Sequence, residues 1–491
     1  MFRRILVANR GEIALRILRS ARESGASPVA VYSDADRGSL HVRLADEAIR
    51  IGPPAASESY LRGDLVLEAA LRSKAEAVHP GYGFLAENAD FAGMVRHAGL
   101  AFIGPSAAAM DAMGDKLEAR RIAADAGLPV IPGTELSDAG SLTAEARRIG
   151  FPVMLKAAAG GGGKGIRIVA REEELAESAA LAAAEARSAF GDDRIYLEKF
   201  LSRPRHIEVQ VFADRHGNVV TYGERECSVQ RRHQKLIEES PSPVVGPELR
   251  GRMEEAALSL ARAADYEGAG TVEFMVSEGE FYFLEMNTRL QVEHAITEER
   301  YGVDLVQEQL RVAAGERLSE VQEPRGHSIE VRINAEDPAT FLPSLGTIRN
   351  IAIPGGHGVR FDSAMFPGLE LTPYYDSMLG KIIVHAPTRK EAVQRMLRAL
   401  TELRVAGVKT SVPVAVHALR SGPFQSGDYD TSVLDRISPE ECDGRAAHLE
   451  VAAVAVALAR YKGLGANAPP VAGFNARQMS PWVRTGRDYV E

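Results

Sequence analysis

The feature that most constrains this chain is the alternation of short, wholly apolar runs with amphipathic stretches over its first hundred residues. Ile5 to Ala8 reads as a buried strand, 11–24 as an amphipathic helix and Val29 to Tyr32 as a second strand. A second helix over 61–73 and a third strand beginning at Ala77-Val78 follow. A strand with no polar face must be covered on both sides, and the intervening helices are long enough to return the chain between parallel neighbours. A parallel α/β unit is therefore expected at the N-terminus.

Around residue 128 the texture changes. Leu128 to Gly133 forms a turn-rich seam, and two strand candidates, Val153 to Lys156 and Ile166 to Val169, are joined by a glycine-rich stretch. An alanine-rich helix is expected over 175–190. From Ile195 the apolar runs lengthen, with Ile207 to Phe212, Val219 to Tyr222, Thr271 to Ser277 and Phe281 to Met286 reading as an antiparallel sheet. The polar stretch 322–326 suits a boundary. Beyond it Ile329 to Ile333, Gly346 to Ile353 and Lys381 to Val384, with a helix over 389–403, point to another mixed unit. The last fifty residues offer a helical pattern at 446–461, a Gly/Ala/Pro linker at 463–473, and the sole tryptophan, Trp482.

The 491 residues accommodate about three domains. The longest apolar run, Val451 to Ala459, falls well short of the ~20 residues of a membrane helix. The apolar stretch after Arg3 and Arg4 is too short for a signal peptide, so a cytoplasmic protein starting at Met1 is expected. Cys227 and Cys442 are the only cysteines, which excludes a disulfide scaffold and a cysteine metal cage. With 58 basic against 67 acidic residues, a nucleic-acid footprint is not expected.

Four stretches carry chemistry. Gly160 to Gly163, flanked by Lys156 and Lys164, exposes backbone N–H groups as a polyphosphate cover requires. It is not a Walker A loop, which needs Gly at 158 and Ser or Thr at 165. Gly81-Tyr82-Gly83-Phe84-Leu85-Ala86 matches a dinucleotide fingerprint, but it follows the wrong strand, and a tight structural turn is the better reading. Between Phe281 and Glu293 every charged or amide residue falls on an odd position, so a continued strand aims Glu285, Asn287 and Arg289 at one face. Those oxygens suit Mg²⁺, with Glu273 completing the set if a three-residue loop over 278–280 pairs it with Glu285. Lastly, Arg231 to Lys235 supplies the cationic complement to these acids, with Glu238 and Glu239 close behind.

Together these stretches resemble the ATP-grasp superfamily and, within it, the biotin carboxylases. The resemblance runs from Ile5 to about residue 435 through 5–14, 79–84, 113–116, 231–235, 283–289, 332–337 and 374–378. It implies an N-terminal Rossmann-like domain (1–115), an ATP-grasp domain (116–325) with a mobile glycine-rich lid (130–203), a C-terminal mixed α/β domain (326–437) and a tail (438–491). It further implies that Lys116, Lys156, Gly162, Gly163, Glu198, Lys199, Phe200, Leu201, His206 and His233 contact ATP. Glu273, Glu285 and Asn287 would hold magnesium or manganese. Lys235, Arg289, Gln291 and Val292 would cradle bicarbonate with Glu293 as its base, and Arg332 would face both bicarbonate and biotin. Ala159 and Lys164 depart from the glycine and arginine common in relatives, which bears on lid closure rather than chemistry.

The reaction implied is ATP-dependent carboxylation of biotin through carboxyphosphate, in an acyl-CoA carboxylase serving fatty acid biosynthesis, with acetyl-CoA the favoured acceptor. The chain has no Met-Lys-Met, so biotin would arrive on a separate carrier protein, and a carboxyltransferase would be a further partner. A homodimer is implied, and the tail, whose 480–486 is similar to segments of larger carboxylases, is expected either to dock a partner or to be a disordered end with one helix. Rival readings are a component of a pyruvate carboxylase, another ATP-grasp ligase such as a carbamoyl-phosphate synthetase relative, a nicotinamide-dependent dehydrogenase and a non-catalytic scaffold. The dehydrogenase reading would rest on Gly81 to Ala86 alone, and a scaffold leaves the charged set without a purpose.

Overall fold

The computed structural model describes residues 1–135, 142–157, 167–190, 195–232 and 234–437, together with 454, 457, 458 and 460. The helix expected at 446–461 therefore lies largely outside the described residues, as do the linker and Trp482; the four described positions are helical. Residues 1–442 form one compact unit and 443–491 another.

The N-terminal expectation holds. Strands β1 (Arg4–Val7), β2 (Ser27–Ser33), β3 (Glu47–Gly52), β4 (Ala77–His79) and β5 (Ala101–Phe102) form a sheet in the order β3-β2-β1-β4-β5. Every pairing in it is parallel. Helix Gly11–Glu23 buries Ile13, Ala14, Ile17, Leu18 and Ala21 at helical spacing, the apolar stripe a crossover helix must hide. The 81–86 stretch is a turn, not a dinucleotide loop. Gly81 and Gly83 adopt φ of +65° and +67°, and a Cβ on Gly81 would meet Asn9 at 3.0 Å and Ile13 at 3.2 Å. Asn9 pins the turn by donating to the carbonyls of Pro80 and Tyr82, each at 2.7 Å.

Strands β6 (Gly133–Glu135), β7 (Val153–Ala157), β8 (Arg167–Val169) and β9 (Ile195–Lys199) make a small antiparallel sheet ordered β6-β9-β7-β8. Helices Leu142–Ile149 and Leu175–Phe190 pack against it, and their apolar stripes close a core of their own.

The main body is one antiparallel sheet. Its strands are β10 (Arg205–Ala213), β11 (Val219–Arg231), β12 (Gln234–Ser240), β13 (Gly268–Ser277), β14 (Glu280–Asn287) and β15 (His327–Asn334). After the short β16 (Gly346–Thr347) and β17 (Asn350–Ala352) come β18 (Val359–Ser363), β19 (Glu370–Leu371), β20 (Met378–Ala386) and β21 (Arg404–Ala406). The large sheet runs β14-β13-β10-β11-β12-β15-β20-β18, so hydrogen bonding passes without a break from β12 to β15. The run expected at 346–353 is not one strand: β16 pairs with β19 and β17 with β21. The strand expected to end at Tyr222 continues to Arg231, because its charged residues Glu224, Arg225 and Glu226 are all buried with partners.

The β13–β14 hairpin corrects one expectation. Its loop has two residues, not three: Ser277 pairs with Glu280, and Glu278 and Gly279 both take positive φ, the turn geometry that matches strand twist. That register alone would pair Glu273 with Leu284. A bulge shifts the ladder between Glu273 and Phe274, leaves Leu284 43% exposed, and restores the pairing of Glu273 with Glu285. The strand also stops at Asn287, and the backbone bends at Thr288 and Arg289 before helix His294–Tyr301 begins.

Candidate active site

On β10, Ile207, Val209 and Val211 face the apolar core while His206, Glu208 and Gln210 face the other way, as a period of two requires. β15 repeats the pattern with Ile329, Val331 and Ile333 against Glu330 and Arg332. The polar faces meet under helix His294–Tyr301, and Lys235, at the start of β12, projects into the middle.

The Lys235 ammonium donates to Glu208 at 2.6 Å, Glu273 at 3.0 Å and Glu293 at 2.7 Å. Burial opposes its charge, but the surrounding acids outweigh that and hold its pKa well above the lysine range. Burial likewise favours the neutral Glu293 carboxyl, yet Lys235, Arg332 and Arg225 reverse the effect and keep it ionised well below the usual carboxylate range. Arg332 donates to Glu293 at 3.0 Å and, through Nε, to Glu238 at 2.6 Å. Glu238 is pushed up to about 7 by burial, against the pull of Arg332 and with repulsion from Glu293. Beneath them the fully buried Arg225 donates to Glu208, Gln210, Thr271, Thr297 and Gln291. Removing one partner from such a buried set strands a charge, at about 3–5 kcal/mol.

Glu273 accepts from Lys235, from Asn287 at 3.0 Å and from Gln291 at 2.8 Å, while His206 Nε2 lies 2.8 Å from its other oxygen. Glu285, its cross-strand neighbour, is raised by burial and then by repulsion from Glu273, with Lys116 pulling the other way. Two adjacent carboxylates and the Asn287 amide oxygen form a hard, all-oxygen donor set, and the repulsion on Glu285 is what a divalent cation would relieve; the residues fit Mg²⁺ or Mn²⁺. His206, Glu208 and Glu273 offer ligand atoms within 4.8 Å of one another, as do Glu208, Cys227 and Glu293, and the Lys235 ammonium bonds to acids in both groups, Glu273 among them.

Arg289 donates to Glu87 at 2.8 Å and to the Asn287 amide oxygen at 3.0 Å. Gln291, Val292 and Glu293 owe their positions to the bend and to the start of the following helix, where Glu293 is the N-cap residue, rather than to the strand alternation expected from sequence. Lys116 opens helix Lys116–Asp125, whose N-cap Asp115 accepts from the amides of Leu117 and Glu118. In the small sheet Lys156 forms an ion pair with Glu198, Lys199 donates to the Gly150 carbonyl at 3.1 Å, and the Phe200 amide donates to the Pro152 carbonyl at 3.1 Å. Leu201 is half-buried beside them. Among the described residues no hydrogen bond or ion pair joins Lys156 or Glu198 to the Glu273 cluster. Gly162, Gly163 and His233 lie outside the described residues, as do Ala159 and Lys164.

Sequence reasoning missed Glu208, Arg225, Glu330, Lys381 and Glu87. The alternation Ile207-Glu208-Val209-Gln210-Val211 and its counterpart on β15 carried the signal for Glu208 and Glu330; nothing local marks the others.

Three family models match in chain order: Biotin carboxylase, N-terminal domain over 1–110; Carbamoyl-phosphate synthase L chain, ATP binding domain over 115–321; and Biotin carboxylase C-terminal domain over 330–436. The chain is 53% identical over 441 residues to a pyruvate carboxylase subunit of Methanothermobacter thermautotrophicus, covering 89% of this chain and 90% of that protein. It is 48% identical over 442 residues to biotin carboxylase of Haemophilus influenzae, covering 89% of this chain and 99% of that protein. Among solved structures, the biotin carboxylase domain dimer of Hydrogenobacter thermophilus 2-oxoglutarate carboxylase, in complex with MgADP, ADP and bicarbonate, superposes with a TM-score of 0.81 at 46% identity. That match covers 90% of this chain and 99% of the other.

Proposed function

The chain belongs to the biotin carboxylase family, and on that premise we propose that it carboxylates biotin carried on a separate protein, using bicarbonate and ATP through carboxyphosphate. ATP-dependent biotin carboxylase activity follows from the family itself; the acceptor, the partners and the residue roles are our reading. The observation that carries those roles is the buried Glu293 carboxylate, bonded at once to Lys235 at 2.7 Å and Arg332 at 3.0 Å.

Bicarbonate is an anion and a poor nucleophile. Entering the cluster, it takes a share of Lys235 and Arg289, with Gln291 and Val292 completing its cradle. Sharing Lys235 weakens that lysine's hold on Glu293, so the proton affinity of Glu293 rises as the substrate arrives. Glu293 then accepts the bicarbonate hydroxyl proton while the oxygen attacks the γ-phosphorus of ATP and the bond to ADP breaks. A general base so placed contributes about 10²–10⁴-fold. Lys116, Lys156, Glu198 to Leu201, His206 and His233 bind the nucleotide, with Gly162 and Gly163 over its phosphates. A divalent cation held by Glu273, Glu285 and Asn287 would supply neutralising charge to those phosphates. Carboxyphosphate releases CO₂ and phosphate, the phosphate takes the biotin ureido N–H proton while Arg332 stabilises the oxygen on which negative charge develops, and the ureido nitrogen then bonds to the CO₂ carbon.

We divide the chain as 1–115, 116–325 with a lid over 130–203, 326–437, and a partner-docking tail over 438–491. We place it as a cytoplasmic homodimer within an acyl-CoA carboxylase acting on acetyl-CoA, together with a biotin carrier and a carboxyltransferase. No helix of the described residues is long and apolar enough to cross a membrane. A second reading, the corresponding component of a pyruvate carboxylase, is favoured by the 53% identity to a pyruvate carboxylase subunit. ATP hydrolysis measured with and without bicarbonate and free biotin tests the reaction: stimulation by both is expected, and hydrolysis indifferent to either would overturn it. Reconstitution with the carrier and transferase, supplied with acetyl-CoA or pyruvate, separates the two acceptors.

A further inference from the structure

Behind the cluster lies a group that the proposed reaction does not use. Lys381 is fully buried on β20, in register with Arg332 on β15 and with Asp362 on β18. Its ammonium donates to the backbone carbonyl of Val292. Its acidic neighbours are more distant, Glu330 at 3.8 Å and Glu12 at 4.0 Å. Both Glu330 oxygens, one Glu12 oxygen and the Nε2 of His294 are buried without a hydrogen-bond partner among the described residues. A buried ammonium is costly, and here its one close partner is a peptide oxygen rather than a carboxylate.

The identity of that peptide matters. The Val292 carbonyl belongs to the peptide group that leads into Glu293, in the short segment between the end of β14 at Asn287 and the helix that starts at His294. The flanking carbonyls are taken by backbone amides, Gln291 by His294 at 3.4 Å and Glu293 by Ile296 at 3.3 Å. Lys381 thus supplies from another strand the one anchor that the helix start does not supply locally.

We propose that Lys381 is a positioning residue, which by holding the Val292 carbonyl fixes the peptide that presents Glu293 to bicarbonate. Glu330 at 3.8 Å and Glu12 at 4.0 Å, both raised by burial from the usual carboxylate range, lie too far away to draw the ammonium off the carbonyl. The inference rests on the bicarbonate role proposed above, and its test tells the two apart.

Steady-state kinetics of ATP cleavage, with bicarbonate and ATP varied separately, are compared for wild type, Lys381→Met and the double variant Lys381→Met/Glu330→Gln, which removes an acid together with the cation. Loosening the base by a fraction of an ångström should raise the bicarbonate KM and lower kcat, each by about tenfold, while the ATP KM stays within about twofold. The same split in the double variant assigns the effect to the lost carbonyl contact rather than to stranded charge. Equal changes in both KM values or failure of both variants to fold would show Lys381 acting on the fold at large, and no change in either would show it idle in the reaction; each would overturn the proposal. Wild-type cleavage without bicarbonate dependence would instead remove the reading on which the proposal rests.

Discussion

The small sheet β6–β9 and the large sheet's acid–base cluster both carry proposed substrate contacts, yet they hold charge in opposite ways. In the small sheet and its helices the ion pairs face water: Arg147 with Glu172, Arg148 with Glu145, Arg171 with Glu174. Even Lys156, paired with the buried Glu198, keeps 37% of its side chain exposed. In the cluster, Arg225 and Glu208 have no exposed side-chain surface and Lys235 has 10%. An exposed pair separates at little cost, so Lys156 can leave Glu198 for a phosphate that arrives and departs each cycle. A buried pair cannot separate unless something replaces the partner, so an anion must enter the cluster and share its cations. On the proposed assignment, the nucleotide site is built for exchange and the bicarbonate site for preorganisation.

This contrast breaks first at Glu293. Glu293→Gln keeps the shape and two potential hydrogen bonds but removes the base, so kcat for bicarbonate-dependent ATP cleavage should fall by about 10²–10⁴-fold. A loss under about fivefold would mean the cluster is structural, and the distinction between the two regions would go. Next comes Arg332→Ala, expected to lose about 10²–10³-fold in biotin carboxylation with a smaller loss in ATP cleavage. It also carries a pH signature. Arg332 and Lys235 hold Glu293 well below the carboxylate range against the effect of burial. With Arg332 gone its pKa rises, the ionised base is lost sooner on acidification, and the acid limb of ATP cleavage should move to higher pH. An unmoved limb would detach Arg332 from Glu293. A smaller effect is expected across the divide: Lys156→Met should raise the ATP KM by about tenfold and leave the bicarbonate KM unchanged, since one charge-assisted contact of about 1.5 kcal/mol is lost at an exchangeable site.

The contrast also sets what could be read from the sequence. The parallel N-terminal sheet was legible because wholly apolar strands leave no alternative to burial on both faces. The acids Glu273 and Glu285 were legible because polar residues at odd positions in an apolar strand must share a face. The route to their pairing was not: a two-residue turn and a bulge at Leu284 reach the register that a three-residue loop was expected to give, and both solutions satisfy the same pattern. Arg225 and Lys381 were invisible for a different reason. What makes the burial of each tolerable is a set of partners far along the chain, such as Thr271, Gln291 and Val292. The roles of Arg332, within β15, and of Glu293, at the N-cap of the helix after β14, came into view only through family resemblance.

The smallest expected effect lies wholly within the small sheet's surroundings and tests the contrast from its quiet side. Arg147 and Glu172 make a well-aligned pair, Nε to Oε2 at 2.7 Å, yet the Arg147 side chain is 67% exposed. Water solvates both partners once they part, and fixing two long side chains in one geometry offsets most of the attraction. Arg147→Ala should therefore leave the unfolding midpoint and both KM values indistinguishable from wild type, in low salt as in high. Were this substitution to destabilise the protein measurably, or to shift the ATP KM, pairs on the small sheet's helices would be binding elements in their own right. Charge there would then be held as firmly as it is around Lys235, and ready exchange could no longer support the proposed displacement of Glu198 from Lys156 by the nucleotide.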